Sequence, residues 1–301
     1  MLLSAGNHGD EYEGQCILRR AIRELDAADI NGRLILLPAL NGPAVEAAMR
    51  TSPLDEGNLN RSFPGDPDAG PTKAIAGFVV THLFPMADFG LDFHSGGSTA
   101  TYVNTGFLCA STSAELHRRN VDLIEAFGAP YTMVVPPGDT ATDMDSSAHQ
   151  AGLPFVSCEL GGAGTVSASA LDIGWTGLLR VLLKNRVITP DNPLLSSLSI
   201  NDSKTCFIDV ASDSSLITTS HHGLFEPLHE LGTWVEKGQK AGNVYGLQSF
   251  IDPLETHTFA SDGVVAIKRR DSLVQPGDHL YCVGGKLTRE QVLALGANTT
   301  G

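Results

Sequence analysis

No stretch of this 301-residue chain approaches the roughly 18 to 20 consecutive apolar residues a membrane-spanning helix needs, so no helical anchor is expected. Positive charge is scarce as well. Twenty Lys and Arg stand against 34 Asp and Glu, a formal net charge of −14. A surface of that sign argues against a nucleic-acid backbone or an anionic membrane as partner. Cysteines are few and scattered: Cys16, Cys109, Cys158, Cys206 and Cys282 are odd in number and include no C-x-x-C pair. That argues against a disulfide framework, and a reducing cytoplasm is the expected setting. No fixed-period repeat or low-complexity tract occurs. The opening Met1-Leu2-Leu3-Ser4-Ala5-Gly6 is too short for a secretory signal and has no basic residues before it; it reads as a short buried strand. What remains is 42% hydrophobic and 18% charged, enough for a proper core. Such a length allows one large domain or two unequal ones.

From residue 1 to about 190, apolar runs of strand type alternate with helical patterns. Residues 13–26 place Cys16, Ile17, Ile22 and Leu25 among charged neighbours, which predicts an amphipathic helix. Residues 33–38 form a short apolar run closed by proline, the mark of a buried strand. Further strands are predicted at 88–93 and 154–158, and further helices at 72–83, 114–127 and 175–183. Alternation of this kind predicts an α/β fold with a mostly parallel sheet flanked by helices. Ligands in such sheets sit beyond the carboxyl ends of the strands. The run Thr189-Pro190-Asp191-Asn192-Pro193 and the serines after it break the rhythm, so a domain boundary is expected there. Beyond about residue 200, short strands separated by glycine turns predict a small all-β unit over 200–287.

Three chemistry-bearing clusters fall at predicted strand ends of the first unit. His8-Gly9-Asp10-Glu11 follows the opening strand, and its H-x-x-E spacing suits a Zn²⁺ ion that accepts His nitrogen and Glu oxygen. Asp92-Phe93-His94-Ser95-Gly96-Gly97 ends a strand on a histidine that would complete a two-histidine, one-carboxylate set. Alternation along the strand aims Asp92 the same way as His94, as an outer partner of that imidazole. Cys158-Glu159-Leu160-Gly161-Gly162 ends another strand on an acid suited to proton transfer in metal-assisted hydrolysis. Taken singly, each also reads as a solvated loop or a core histidine. Their coincidence at three strand ends of one sheet favours a site. Between them, Asn58-Leu59-Asn60-Arg61-Ser62-Phe63-Pro64-Gly65 surrounds one arginine with polar groups. Arg61 suits a substrate carboxylate, or alternatively Asp55 or Glu56 of its own loop.

These four motifs, in this order, resemble the aspartoacylase/succinylglutamate desuccinylase family, zinc deacylases built like zinc carboxypeptidases, and the resemblance covers nearly the whole chain. The resemblance implies that His8, Glu11 and His94 hold one Zn²⁺ per chain and that Glu159 is the general acid/base. It implies that Asn60 and Arg61 hold the substrate carboxylate, and that Arg50 stabilises the oxyanion. The resemblance also implies a small N-acyl amino acid as the substrate class, and a homo-oligomer is compatible with the sequence. Such relatives carry at least one more strand ahead of the first motif, and this chain is expected to lack it. Within the family, the runs 7–14 and 50–65 are most similar to bacterial N-acetyl-diaminobutyrate deacetylases of ectoine degradation. A substrate with a side-chain ammonium would tolerate acids such as Asp139, Asp143 and Asp145 near the pocket.

The C-terminal unit resembles the small β-barrel of the same family and, more distantly, a biotinyl/lipoyl domain. The expected hairpin tip, Leu254-Glu255-Thr256-His257-Thr258, has no carrier lysine, so the unit reads as a wall of the entrance. His221-His222 reads as an exposed polar turn. Three alternatives remain open at this point: a succinylglutamate- or aspartoacylase-type deacylase of another N-acyl amino acid, a metallocarboxypeptidase, and a binding module stabilised by structural zinc.

Overall fold

A computed structural model describes residues 1–137, 142–196, 204–212, 215–248 and 251–296. In chain order the first part forms β1 (Leu2–Ala5), α1 (Glu13–Glu24), β2 (Ile35–Leu37), α2 (Gly42–Ala47), α3 (Pro71–Phe78), β3 (Gly90–His94), β4 (Ala100–Tyr102), β5 (Thr105–Cys109), α4 (Ala114–Phe127), β6 (Tyr131–Val135), α5 (Met144–Gln150), β7 (Phe155–Glu159), α6 (Ala168–Lys184) and β8 (Cys206–Asp209). These strands build a sheet in the order β2-β1-β3-β7-β5-β6-β8. β2, β1, β3 and β7 run parallel, β5 turns antiparallel to β7, and β6 and β8 follow β5 in parallel. The expected α/β class with a mostly parallel sheet is what the chain adopts.

Side-chain alternation puts helices on both faces. Leu3, Ala5, Leu91, Phe93, Val156 and Cys158 pack with α1, α4 and α6 in one core. Leu2 and Phe155, one residue out of phase, face a second core with Leu59, Phe63, Ala76, Met144 and Ala148. Helix α1 lies so close to β3 that a Cβ on Gly14 would stand 2.2 Å from the Phe93 Cβ. That contact fixes the loop between β1 and α1 directly over the end of β3.

Several elements differ from expectation for identifiable reasons. Helix α3 stops at Phe78, and Val79–Leu83 continue as a π-type turn before a 3₁₀ turn at Phe84–Met86 containing Pro85. Proline lacks the N–H that would have continued the helix. Helix α6 begins at Ala168, well before 175, because the Ser167 side chain caps it by accepting from Ala170 N. Strands β5 and β6 and helix α5 were not anticipated.

The C-terminal unit comprises β9 (Leu216–Thr218), β10 (Gly223–Pro227), β11 (Trp234–Val235), β12 (Lys240–Tyr245), β13 (Glu255–Thr258), β14 (Gly263–Arg269), β15 (Leu273–Val274), β16 (His279–Leu287) and α7 (Arg289–Leu295). Residues 255–258, expected at a hairpin tip, form strand β13 against β12. His221 and His222 lie in an exposed turn, as expected. The long strand β16 runs antiparallel to β8 and to β14, and β14 pairs with β4 through Ile267 and Tyr102. The β-unit is thereby seated beside the carboxyl ends of β3 and β7.

Candidate active site

Register brings the strand-end motifs together. Along the β3–β7 ladder His94 pairs with Glu159 and Asp92 with Ser157, while Ser4 of β1 pairs with Asp92. The loop after β1 turns back into α1 and delivers His8 and Glu11 to the same end. Glu11 lies between the two imidazoles: His8 Nδ1 is 2.7 Å from its Oε1 and His94 Nδ1 2.8 Å from its Oε2. One donor atom from each of the three residues lies within 4.8 Å of the others, and all three residues are buried. Donors arranged tetrahedrally at about 2.1 Å from one cation would stand about 3.4 Å apart, so small shifts seat a metal.

The outer nitrogens are held too. His94 Nε2 lies 2.8 Å from Asp92 Oδ2 and His8 Nε2 3.2 Å from Asn58 Oδ1. Asp92 is fixed in turn by the Ser4 hydroxyl at 2.7 Å and the Asn7 amide at 3.1 Å. Asn58 is an acceptor at His8 Nε2, and the Asp92 carboxylate makes a close charge contact at His94 Nε2 rather than an aligned hydrogen bond. Both favour the N–H at the outer nitrogens and leave both Nδ1 lone pairs for the centre, the arrangement metal-bound histidines adopt. The donor set thus fits a divalent ion. Without one, burial disfavours the charge on His94, but Asp92 and Glu11 outweigh it and raise its pKa well above the ordinary imidazole value. Burial likewise opposes ionisation of Glu11, yet His94 and His8 hold its carboxyl far below the usual range.

Glu159 faces the same centre. Burial, reinforced by Glu11 and Asp92, pushes its pKa well above the carboxylate norm against the pull of His94 and Arg50. Its Oε2 is buried without a hydrogen-bond partner among the described residues. The glycine turn behind it is obligatory: Gly162 has φ +125°, and a Cβ there would sit 2.5 Å from Ala100 O.

Arg50 reaches Glu11 Oε1 from Nη1 at 3.3 Å and is half exposed. Asn60 and Arg61 sit on a 3₁₀ turn whose buried Leu59 anchors it. Asn60 Oδ1 accepts from Met144 N at 2.9 Å, and Arg61 points out with its Nη1 on Asn60 O. All seven residues singled out in the sequence (His8, Glu11, Arg50, Asn60, Arg61, His94 and Glu159) line one cavity of about 760 Å³. Asp143 and Asp145 line it as well, while Asp139 lies outside the described residues.

Sequence reasoning missed Tyr102 and Cys109 of the sheet, and Arg269, Asp278 and His279 of the β-unit, which complete the cavity wall. Only the antiparallel pairing of β14 with β4 brings the latter there, and no local signal announces that contact.

A donor set fit for a divalent cation, beside a buried carboxyl able to hold a proton, at the strand ends of an α/β sheet, defines a hydrolase of the amide-cleaving metalloenzyme class. The chain belongs to the succinylglutamate desuccinylase/aspartoacylase family: residues 1–184 match its catalytic domain. It is 38% identical over 283 residues to the N-alpha-acetyl-L-2,4-diaminobutyric acid deacetylase of Halomonas elongata, covering 94% of this chain and 81% of that one. The product-bound structure of the ectoine utilization protein EutE (DoeB) from Ruegeria pomeroyi superposes with a TM-score of 0.87 at 35% identity, over 94% of this chain and 84% of that one. A succinylglutamate desuccinylase structure from Silicibacter sp. TM1040 gives a TM-score of 0.87 at 32% identity, over 95% and 84%.

Proposed function

We propose that the protein is a zinc-dependent deacylase that hydrolyses an N-acyl amino acid to a carboxylate and a free amine, with Nα-acetyl-L-2,4-diaminobutyrate as the first candidate substrate. The likeness to the Halomonas deacetylase supports the acetyl group and the amine. The observation that carries the chemistry is the single Glu11 carboxylate held between two imidazoles at 2.7 and 2.8 Å, one of which, His94, pairs with Glu159 across the β3–β7 ladder.

His8, Glu11 and His94 would hold the zinc. Bound there, zinc supplies Lewis-acid polarisation of the acyl carbonyl and a lowered pKa for water. Glu159 takes the proton of the attacking water and returns it to the departing nitrogen. A carboxyl held well above the ordinary carboxylate range suits both halves of that transfer. Arg50, already within reach of Glu11, offers its guanidinium to the negative oxygen that develops on the carbonyl. Asn60 and Arg61 hold the α-carboxylate, which turns an encounter into a positioned reaction.

Residues 1–190 serve as the catalytic unit and residues 200–287 as a wall of its entrance. Five free thiols support a cytoplasmic setting. The test is metal analysis of purified protein combined with acetate release from a panel of N-acetyl amino acids, both diaminobutyrate isomers and short peptides. Zinc at one per chain with cleavage of N-acetyl amino acids is the expected result. Cleavage confined to peptides, or none with zinc bound, would overturn the proposal.

A further inference from the structure

We infer that Asp145 is the receptor for a side-chain ammonium on the substrate and so sets its specificity, an inference that rests on the deacylase reading above. Asp145 stands in the first turn of α5, is 4% exposed, and lines the cavity. Its only donor among the described residues is the Ser157 hydroxyl, which reaches Oδ1 at 2.9 Å and Oδ2 at 2.7 Å. A hydroxyl carries one proton, whereas a carboxylate presents about four acceptor positions. Asp145 is therefore a buried carboxylate facing a cavity with most of its hydrogen-bonding capacity unmet, and a buried charge of this kind calls for a cation.

Its neighbour Asp143 is differently placed. Both Asp143 oxygens are occupied at the helix N-cap, by Ser146 N at 2.8 Å and the Ser146 hydroxyl at 2.9 Å. Asp143 contributes negative field; Asp145 is the open acceptor.

The spacing selects a short arm. Ser157 and Glu159 lie on one face of β7, about 6.6 Å apart along the strand. Glu159 serves the amide nitrogen at one rung, and Ser157 presents Asp145 at the other. In an amino acid with two side-chain methylenes, the α-nitrogen and the terminal nitrogen stand about 5 Å apart when extended. That span is about 1.6 Å short of the rung spacing, a gap smaller than the length of one hydrogen bond. The α-carboxylate falls on the adjacent side, because Asn60 is bonded to Met144 N, the residue before Asp145. A zwitterionic substrate thus meets an arginine-bearing loop and a buried acid side by side. In the ligand-free protein, burial and then the Asp143 charge push the Asp145 carboxyl up to about 7. A bound ammonium would reverse that shift.

The experiment compares kcat/KM for Nα-acetyl-L-2,4-diaminobutyrate with that for Nα-acetyl-L-norvaline, its isostere with a terminal methyl, on zinc-loaded protein. Wild type should favour the ammonium substrate by about 10²-fold or more, and Asp145→Asn should lower that ratio by a similar factor. Metal content and thermal melts confirm that the variant is folded and loaded. If Asp145→Asn does not fold, Ser157→Ala, which removes the hydroxyl that orients the carboxylate, should lower the ratio by about tenfold. A ratio within about threefold of wild type in the folded variant, or no preference in wild type, overturns the inference while leaving the deacylase reading standing. Failure of zinc-loaded wild type to cleave either substrate removes that reading and this inference with it.

Discussion

Replacing Asp92 by Asn tests whether the outer partner of His94 governs the metal-binding atom. Asp92 is fully buried, and Asn matches its volume, so no cavity is created. One carboxylate oxygen accepts from the Ser4 hydroxyl, and an amide oxygen in the same place still would. The other oxygen lies 3.1 Å from the Asn7 amide nitrogen and 2.8 Å from His94 Nε2. An NH₂ group there would confront two donors. The imidazole relieves the conflict by moving its proton from Nε2 to Nδ1, the atom 2.8 Å from Glu11 and the one that must offer a lone pair to the metal. Loss of such an outer partner costs about 10- to 100-fold in metal affinity, or about 1.4 to 2.8 kcal/mol. Competition titration of zinc against a chromophoric chelator at neutral pH measures it, with circular dichroism confirming the fold. Asn58→Ala is the internal comparison: His8 has only a neutral acceptor at 3.2 Å, so its affinity loss should be smaller. A folded Asp92→Asn protein that binds zinc within about threefold of wild type would refute the assignment of Nδ1 as the ligating atom of His94.

Glu159→Gln keeps the shape but cannot carry a proton, so turnover should fall by about 10² to 10⁴ while zinc content stays at the wild-type level; near-normal turnover would remove Glu159 from the proton-transfer role. Chelation should abolish hydrolysis and added zinc restore it, with the helical signal unchanged throughout, because the donors project from a core packed independently of them. Unfolding on metal removal would instead favour a structural metal. Stability should depend on pH through Asp145. Its folded pKa, about 7, lies above the ordinary carboxyl value of 3.8, so its contribution to stability is fully present below about pH 4 and is lost as pH rises through 7. Asp145→Asn should therefore raise the melting temperature relative to wild type more at pH 8 than at pH 5. An equal change at both would show that the carboxyl is not held protonated.

The candidate site was legible in the sequence because each of its parts is local. A β-type run followed by a glycine turn marks a strand end, and His94 and Glu159 stand there. Alternation alone put Asp92 on the same face as His94, where the structure has its Oδ2 2.8 Å from His94 Nε2. What stayed hidden is pairing. Period-2 alternation reports which face a residue occupies but not which strand lies beside it, so the reversal of β5 against β7 had no local sign. The β-unit's share of the cavity wall had none either, since it depends on β14 reaching β4 across more than half the chain. The three acids proposed near the pocket show where composition stops and packing begins. As letters, Asp139, Asp143 and Asp145 are equivalent. The fold gives Asp143 a helix to cap and gives Asp145 one hydroxyl and a cavity. Hydrogen-bond partners alone thus separate the two carboxylates, and the proposed preference for a substrate that ends in an ammonium over one that ends in a methyl rests on that difference.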